Sequence, residues 1–282
     1  MKEIKITSLL SYSVKPKLFT KGETQFWQDS HIAKGMLQTH LSQDTNAASY
    51  KLSKIREIVD FTTRTIRLEA ENKILDCGCG PGLYCELFSK KQLNVTGVDI
   101  SANSINYARQ SAKKQNLNIK YECKDYLSLS YNREFDAAFI IWQDFCVLNN
   151  NDRTVFLQNI YNALNPYGYF VFDVSTPSIE SGNIENSSWN AFKTGFWSDN
   201  EHLLLENLFF YNNKKIRLKQ YVVIEKDRER VFRIYQQHYE PQQLTNILKQ
   251  SGFNVIHCYE DLTGKPYTKN SKTMAIIAQK IM

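Results

Sequence analysis

The sequence lacks any long hydrophobic run. None of its apolar stretches approaches the roughly 20 residues that a helix needs to cross a bilayer. Its first residues, 1–5, include an acid and lead into no apolar segment of the kind that a secretory signal carries. We therefore expect a cytoplasmic protein that makes no contact with a membrane.

Cysteines are few, with six in 282 residues, which is too sparse for the disulfide framework of a small secreted domain. Cys77 and Cys79 form a Cys-x-Cys pair, but the other four are scattered along the chain instead of forming a second pair of zinc ligands. We expect reduced thiols that fill space, and no bound metal.

Basic blocks are also missing. The net charge of +6 is modest for this length, and the charged segment Lys226–Arg230 is short and contains acids. Proteins that bind nucleic acid usually carry longer basic patches, so a nucleic-acid partner is disfavoured. The composition, 42% hydrophobic and 23% charged, is that of a globular protein with one large domain or a domain with an insertion.

From residue 73 onward, short β-rich runs alternate with helix-like segments. The predicted strands are Ile74–Asp76, Asn94–Ile100, Ile119–Cys123, Ala137–Trp142 and Tyr169–Val174. The predicted helices between them are Leu83–Lys90, Ser104–Gln115 and Asp152–Leu164. This alternation is typical of a parallel, doubly wound sheet covered on both faces. After an interruption the sheet resumes with helix Pro241–Gly252 and strands Phe253–Tyr259 and Thr273–Lys280.

The interruption, residues 177–239, has a different pattern. Its strand-like runs are Leu203–Tyr211, Lys215–Glu225 and Val231–Tyr239. They predict an inserted antiparallel β-sheet, which should lie over the ligand-binding edge of the core formed by residues 73–176 and 240–282. Residues 1–72 are predicted to form an N-terminal helical arm that either anchors in the core or closes over the site as a lid, with Ser30 as the cap of one helix.

The most informative segment is Ile74–Gly82, an apolar run with an acid, Asp76, followed by glycines at alternate positions, Gly78, Gly80 and Gly82. Glycine lets the backbone approach a ligand closely, and the N-terminus of the following helix faces that ligand. The segment predicts a strand that ends in a cofactor-binding turn. A glycine-rich turn after a strand also opens dinucleotide-binding domains, so a nicotinamide or flavin cofactor is the alternative ligand. The turn lacks the longer gap before the third glycine that a pyrophosphate-binding turn uses, so a ligand without phosphates fits it better.

Acids follow at the ends of the next two predicted strands. Asp99, next to Ile100, is placed to accept hydrogen bonds from ribose hydroxyls, unless it is a surface acid that ends a strand. Asp125 can accept from an exocyclic adenine amine while Tyr126 flanks the ring. Helix capping is the alternative role for Asp125.

Taken together, residues 74–174 resemble the class I S-adenosylmethionine-dependent methyltransferases. Asp76–Gly82 matches the first motif of that family, Asp99 its ribose-binding acid and Asp125 its adenine-side acid. The resemblance implies S-adenosyl-L-methionine as the cofactor, and a Rossmann-like seven-stranded sheet whose last strand is antiparallel. By family position the glycines contact the methionine moiety, and Gln143 lies near the sulfonium.

The segments 11–16, 26–27 and 264–267 also resemble a bacterial subgroup of these enzymes whose substrate is unsettled. The inserted sheet is similar to that of methyltransferases that act on small molecules, including glycine and sugar N-methyltransferases. These resemblances imply an enclosed pocket in which a nitrogen or oxygen of a small molecule attacks the methyl group in line.

A hydroxyl acceptor needs a base to remove its proton, whereas a neutral amine needs little help. His31 and Tyr235 are our candidates for this catalytic role, and His238 and Asp144 are the alternatives.

Four residues are predicted to bind the substrate. Arg233 shares one polar face of a predicted strand with Tyr235, because side chains alternate with a period of two. The aromatic residues Tyr12, Trp27 and Trp142 could line the pocket, although packing in the core is the alternative for each.

Nucleic-acid methylation is tested by the sequence after the fourth predicted strand. There, residues 142–145 read Trp-Gln-Asp-Phe, where enzymes that methylate exocyclic base amines carry Asn/Asp-Pro-Pro-aromatic. Methylation of ribose or tRNA through other motifs is left as an alternative, as is a noncatalytic cofactor-binding regulator. Either a monomer or a homodimer is compatible with the sequence.

Overall fold

The computed structural model describes residues 6–23, 26, 29–42, 44 and 47–281. The helices are α1 (Ile6–Ser13), α2 (Ser30–Leu41), α3 (Leu52–Thr65), α4 (Leu83–Lys90), α5 (Ala102–Lys114), α6 (Asn150–Ala163) and α7 (Pro241–Gln250). The strands are β1 (Lys73–Cys77), β2 (Asn94–Asp99), β3 (Ile119–Cys123), β4 (Phe135–Ile140), β5 (Leu164–Ser175), β6 (Asn186–Phe192), β7 (His202–Tyr211), β8 (Ile216–Glu225), β9 (Glu229–Gln237), β10 (Phe253–Tyr259) and β11 (Thr273–Lys280).

The larger sheet has seven strands in the order β10-β11-β5-β4-β1-β2-β3. Strands β1 to β5 pair in parallel, whereas β11 runs antiparallel to both of its neighbours. The predicted fold, a doubly wound α/β sheet with an antiparallel last strand, is therefore confirmed. Strand order reverses between β1 and β4, and a ligand site is expected at the carboxyl ends of these strands.

Two apolar clusters cover the two faces of this sheet. On one face, Phe145 and Phe156 pack against Phe170 and Phe172. On the other, Ile55 and its neighbours on α3 pack against the residues that follow the glycine turn. Both faces of β1 and β4 are buried, which explains why these strands read as continuous apolar runs without alternation.

The smaller sheet is antiparallel and has four strands in the order β6-β7-β8-β9. The predicted inserted antiparallel sheet is confirmed. The sequence pattern predicted three strands, however, and did not predict β6. Every residue of β6 is exposed, and its sequence, Asn-Ser-Ser-Trp-Asn-Ala-Phe, has no alternation of apolar and polar residues. Strand β6 is specified by its pairing with β7 and not by a buried face of its own.

The two faces of this sheet have different neighbours. We define the inner face by Arg217, Lys219 and Tyr221 of β8 and Phe232, Ile234 and Gln236 of β9. The outer face is defined by Gln220, Val222, Val231, Arg233 and Tyr235. Residues of the segment 9–22 cover the outer face, where Leu9 and Tyr12 pack against Val222 and Val231. The inner face is turned toward the larger sheet and α2.

Helix α2 is attached to the inner face. Ile32 packs against Phe232 on β9, and Met36 joins the same cluster. The helix is capped by Asp29, whose Oδ1 accepts from the backbone N–H groups of His31 and Ile32 at 3.0 Å. The prediction that Ser30 is the cap was wrong, since Ser30 is already the first helical residue.

The second oxygen of Asp29 holds the smaller sheet. Arg230 on β9 donates to Asp29 Oδ2 at 2.7 Å, and both side chains are largely buried. One carboxylate thus begins α2 and fixes it to the insertion.

In the parts of the chain that the structure describes, no helix is long and apolar enough to cross a membrane.

Replacing Asp29 tests this attachment. Asp29→Ala loses both the cap and the ion pair, so we expect the free energy of unfolding to fall by about 3 kcal/mol. Asp29→Asn keeps an oxygen for the cap and should lose clearly less. Ser101→Ala, which removes the cap of α5 alone, should cost about 1 kcal/mol. Urea unfolding followed by circular dichroism measures all three, and equal losses in Asp29→Ala and Ser101→Ala would contradict the proposed role of the ion pair.

Candidate functional site

The glycine turn lies at the carboxyl end of β1. Gly78, Gly80 and Gly82 have φ values of 69°, 52° and 83°, in the left-handed region that favours glycine. A Cβ at Gly78 would lie 2.8 Å from Asp144 Oδ2, so the contact between the turn and the segment after β4 also requires glycine there. Gly82 is the last residue before α4, whose N-terminus therefore faces the turn.

Asp99 holds this turn in place from the end of β2. Its Oδ2 accepts from Gly80 N at 2.9 Å, and its Oδ1 accepts from Ser101 N at 2.7 Å. Burial raises the pKa of Asp99 above its ordinary value, although both backbone donors oppose the rise. Ile100, the next residue, is half-buried. Asp99, the residue predicted to bind the ribose, therefore lies at the glycine turn and also shapes that turn.

Four buried or largely buried carboxylates lie together at this edge of the sheet. We call this group the acidic floor, and it consists of Asp76, Asp99, Asp144 and Asp173. No lysine, arginine or histidine of the described residues contributes to their pKa shifts. Within the same residues, no group of three His, Cys, Asp or Glu side chains is placed to hold a metal ion.

Burial and mutual repulsion raise the pKa values of the acidic floor. Burial raises the pKa of Asp76 to about 7, against a hydrogen bond from Cys85 and with repulsion from Asp99. Burial likewise raises the pKa of Asp144 to about 7, and that of Asp173 to about 6. Such shifts are typical of functional sites, and a ligand with positive charge would relieve them.

The segment after β4 carries unusual backbone angles. Trp142 and Gln143 have φ values of 77° and 58°, which are rare for side chains of their size. Gln143 N donates to Asp173 Oδ1 at 3.0 Å, and the backbone N–H groups of Gln143 and Trp142 oppose the rise in the pKa of Asp173. The Trp142 ring meets the Tyr50 ring edge to face, with centroids 4.4 Å apart. The strained backbone turns both predicted site residues, Trp142 and Gln143, onto the acidic floor.

Asp125 and Tyr126 lie across the floor, after β3. Asp125 Oδ1 accepts from Leu127 N at 2.8 Å and caps a short 3-10 turn, so the alternative role for this residue is observed. Its Oδ2 makes no hydrogen bond within the described part of the chain. Tyr126 lies beside Asp144, and its ring reaches the glycine turn, where Cε1 is 3.9 Å from the position that a Cβ on Gly78 would occupy.

His40 is a site residue that no sequence motif indicates. Its Cε1 lies 3.6 Å from the position that a Cβ on Gly80 would occupy, so the end of α2 covers the glycine turn. Its Nδ1 lies 2.7 Å from Ser49 Oγ. Burial lowers the pKa of His40 to about 4, so the ring is neutral at physiological pH.

His31 lies on the opposite side of α2. It precedes His40 by nine residues, or two and a half helical turns, so the two rings point in opposite directions. Its Nδ1 is 3.1 Å from Asp199 Oδ2, and its Nε2 is 2.9 Å from the Gly195 carbonyl oxygen. His31 lines a surface pocket of about 600 Å³ on the outer side of the helix, away from the turn.

Tyr235 and Arg233 share a face, as the alternation indicates, but it is the outer face. The Tyr235 hydroxyl lies 3.3 Å from the carbonyl oxygens of both Lys17 and Thr20. Arg233 donates to the Lys21 carbonyl oxygen at 2.9 Å. These contacts separate both residues from the acidic floor. A period of two predicts that they share a face, but it does not predict which face of the sheet is turned toward the core.

Tyr12 is also on the outer face, where its hydroxyl donates to Glu229 Oε2 at 2.6 Å. Trp27 lies outside the described residues. Among the described residues that were predicted to bind the substrate, Trp142 is the one that lies beside the acidic floor.

The inner face reaches the floor through Gln236. Its Nε2 donates to Gln143 Oε1 at 2.8 Å and to Ser175 Oγ at 3.2 Å. Ser175 Oγ lies 2.7 Å from His238 Nδ1, and Ser175 and His238 are buried. A continuous hydrogen-bond network thus joins the insertion to the segment after β4.

A buried ion pair completes this network. Glu180 is fully buried, accepts from Arg217 Nη1 at 2.8 Å and lies 3.2 Å from His238 Nε2. Arg217 also donates to Gln236 Oε1. Burial lowers the pKa of His238 to about 4, although Glu180 opposes this change. The predicted alternative base His238 is therefore neutral and buried, with Nδ1 beside Ser175 Oγ and Nε2 near Glu180.

Comparison with known proteins agrees with this geometry. Residues 74–168 match a methyltransferase domain family. A ubiquinone biosynthesis O-methyltransferase of Nitrobacter winogradskyi is 31% identical over 136 residues, which cover 48% of this chain and 47% of that protein. The chain thus matches about half the length of this relative.

Two solved structures have the same fold. An S-adenosylmethionine-dependent methyltransferase of Clostridium acetobutylicum superposes with a TM-score of 0.66 and 17% identity, covering 87% of this chain and 98% of the other. The S-adenosylmethionine-bound amino pentose methyltransferase CalS10 of Micromonospora echinaspora gives a TM-score of 0.54 and 15% identity, covering 81% and 90%.

The matched domain contains the glycine turn, Asp99 and Gln143, and the order of the seven strands agrees with the structural neighbours. Residues 74–168 therefore form a methyltransferase domain, and the chain has the fold of S-adenosylmethionine-dependent methyltransferases.

Proposed function

We propose that the chain transfers a methyl group from S-adenosylmethionine to a nitrogen or oxygen of a small molecule. The acidic floor carries this proposal. Its buried carboxylates have no cationic partner among the described residues, and they adjoin a turn that lets a ligand approach the backbone closely. A cofactor with a sulfonium and an ammonium group fits this combination of negative charge and open backbone.

Different residues would bind different parts of the cofactor. Gly78 and Gly80 would contact the methionine moiety, and Asp99, beside Ile100, would accept from the ribose. Asp125 Oδ2 and Tyr126 would flank the adenine. When bound, S-adenosylmethionine supplies an electrophilic methyl group.

The inner face supports a small acceptor over an RNA. Gln236 contacts Gln143 directly, and α2 covers Gly80 at its other end. The sheet and the helix thus close over the acidic floor from two sides and exclude water from the reacting groups. The names of the Nitrobacter relative and of CalS10, both of which denote small-molecule methylation, also support this acceptor class.

Asp144 is the candidate base that the structure brings to the glycine turn. His31 faces the outer side of α2, Tyr235 lies on the outer face, and His238 is buried in the network. A pKa of about 7 lets Asp144 accept a proton from a hydroxyl near neutral pH. A neutral amine acceptor would not need this step.

Removing the Asp99 carboxylate should weaken cofactor binding. Asp99→Ala loses the bond to Gly80 N as well as the ribose contact, so we expect affinity for S-adenosylhomocysteine to fall by roughly 10- to 100-fold. Isothermal titration measures this. Asp227→Ala, in the exposed turn between β8 and β9, is the control. Unchanged affinity in Asp99→Ala would exclude this turn as the cofactor site.

Cofactor affinity should rise with pH. In the free protein, the raised pKa values mean that Asp76, Asp144 and Asp173 lose their protons near pH 6 to 7. A cationic ligand prefers the ionised carboxylates, so binding releases protons, and affinity for S-adenosylmethionine should increase roughly 10-fold from about pH 6 to about pH 8. Titration across this range tests the effect, and Asp144→Asn should flatten the curve. Equal affinity at both ends would contradict the cationic-ligand interpretation.

The acceptor class can be tested without knowing the acceptor. We expect production of S-adenosylhomocysteine in the presence of the low-molecular-weight fraction of a bacterial lysate, and little with purified total RNA. Asp99→Ala serves as the inactive control. Turnover with RNA alone would favour the alternative, an RNA methyltransferase, and cofactor binding without turnover in either fraction would favour a noncatalytic regulator.

A further inference from the structure

The inner face carries a cation for which the described residues supply no ion-pair partner. Lys219 lies in the middle of β8, opposite Leu208 on β7 and Ile234 on β9. It is on the same side of the sheet as Gln236, which reaches Gln143, yet it is exposed. Its side chain therefore projects from the inner face, which is turned toward the larger sheet.

The charges around Lys219 do not neutralise it. Arg217, two residues earlier on the same face, is already paired with Glu180. Glu206 on β7 is the other nearby acid, but neither glutamate comes within 4.0 Å of the Lys219 ammonium. Partial desolvation, with repulsion from Arg217, lowers the pKa of Lys219 although much of its side chain stays exposed, and the two glutamates oppose this change. An anionic ligand would stabilise this ammonium group.

A second donor, the side-chain amide of Gln143, lies against the inner face through its contact with Gln236. The buried network fixes the orientation of this amide. Gln236 Oε1 accepts from Arg217, so its Nε2 must be the atom that donates to Gln143. Gln143 therefore presents Oε1 to Gln236, and its own Nε2 is turned away from the network. No hydrogen-bond partner for Gln143 Nε2 is found in the described part of the chain.

We propose that the methyl acceptor is an anionic small molecule, whose carboxylate or phosphate is bound by Lys219 with Gln143 Nε2 as a second donor. This inference rests on the proposed function and adds the class of acceptor. Lys219 on the inner face and the acidic floor carry opposite charges, and Gln143 joins the two through its contacts with Gln236 and Asp173. An acceptor held between them is oriented with its anionic group toward the smaller sheet and its nucleophile toward the floor. Lys219 is then a specificity-determining residue.

Three probes of similar shape test this proposal: benzoate, phenyl phosphate and the neutral benzamide. Their binding to the protein saturated with S-adenosylhomocysteine is measured by isothermal titration. We expect at least one anion to bind about 10-fold or more tightly than benzamide, since a charge-assisted hydrogen bond replaces a neutral one. The comparison of benzoate with phenyl phosphate identifies which anion the site prefers.

Variants assign the preference to Lys219. In Lys219→Met the anions and benzamide should bind equally, and Lys219→Arg should restore much of the difference. Lys226→Met removes the same charge from the exposed turn after β8 and should keep the full preference.

The failures of the two proposals are distinguishable. If the unaltered protein does not bind S-adenosylhomocysteine, the proposed function fails. If it binds S-adenosylhomocysteine normally but binds no probe, shows no anion preference, or retains that preference in Lys219→Met, this inference alone is overturned.

Discussion

The structure of the site depends on the desolvation free energy of four carboxylates that are buried at one edge of the larger sheet. Backbone N–H groups offset part of this cost, from Gly80 and Ser101 to Asp99 and from Gln143 to Asp173. The same hydrogen bonds give the glycine turn and the strained segment after β4 their shapes. The negative charge of the site and the geometry of its loops are therefore coupled, and a change in either alters the other.

The glycine turn, Asp99 and the order of the core elements could be predicted from the sequence, because each rests on local information. Alternate glycines need positive φ angles within one short segment, and buried parallel strands read as apolar runs wherever they occur. The limits of α4, β3, β10 and β11 agree with the predictions for the same reason. The roles of individual residues toward the cofactor stay predictions.

Contacts between distant segments could not be predicted. The alternation in β9 defined a polar face with Arg233 and Tyr235, but the N-terminal segment, more than 200 residues away, determines that this face is covered. His40 carries no motif, and it reaches Gly80 through the placement of α2 on the smaller sheet. The partners of His31 on the insertion likewise depend on long-range packing.

The covering of the outer face has a consequence for how the chain folds during synthesis. The hydrogen bond between Tyr12 and Glu229 joins residues 217 positions apart, so the segment around Tyr12 is synthesised long before the strand on which it packs. The seven-stranded sheet also awaits its antiparallel strand, β11, which follows the insertion. Until β8 and β9 are made, apolar residues such as Leu9 lack the neighbours that they have in the folded protein. Growing chains of this protein should therefore be long-lived clients of chaperones that recognise exposed apolar segments.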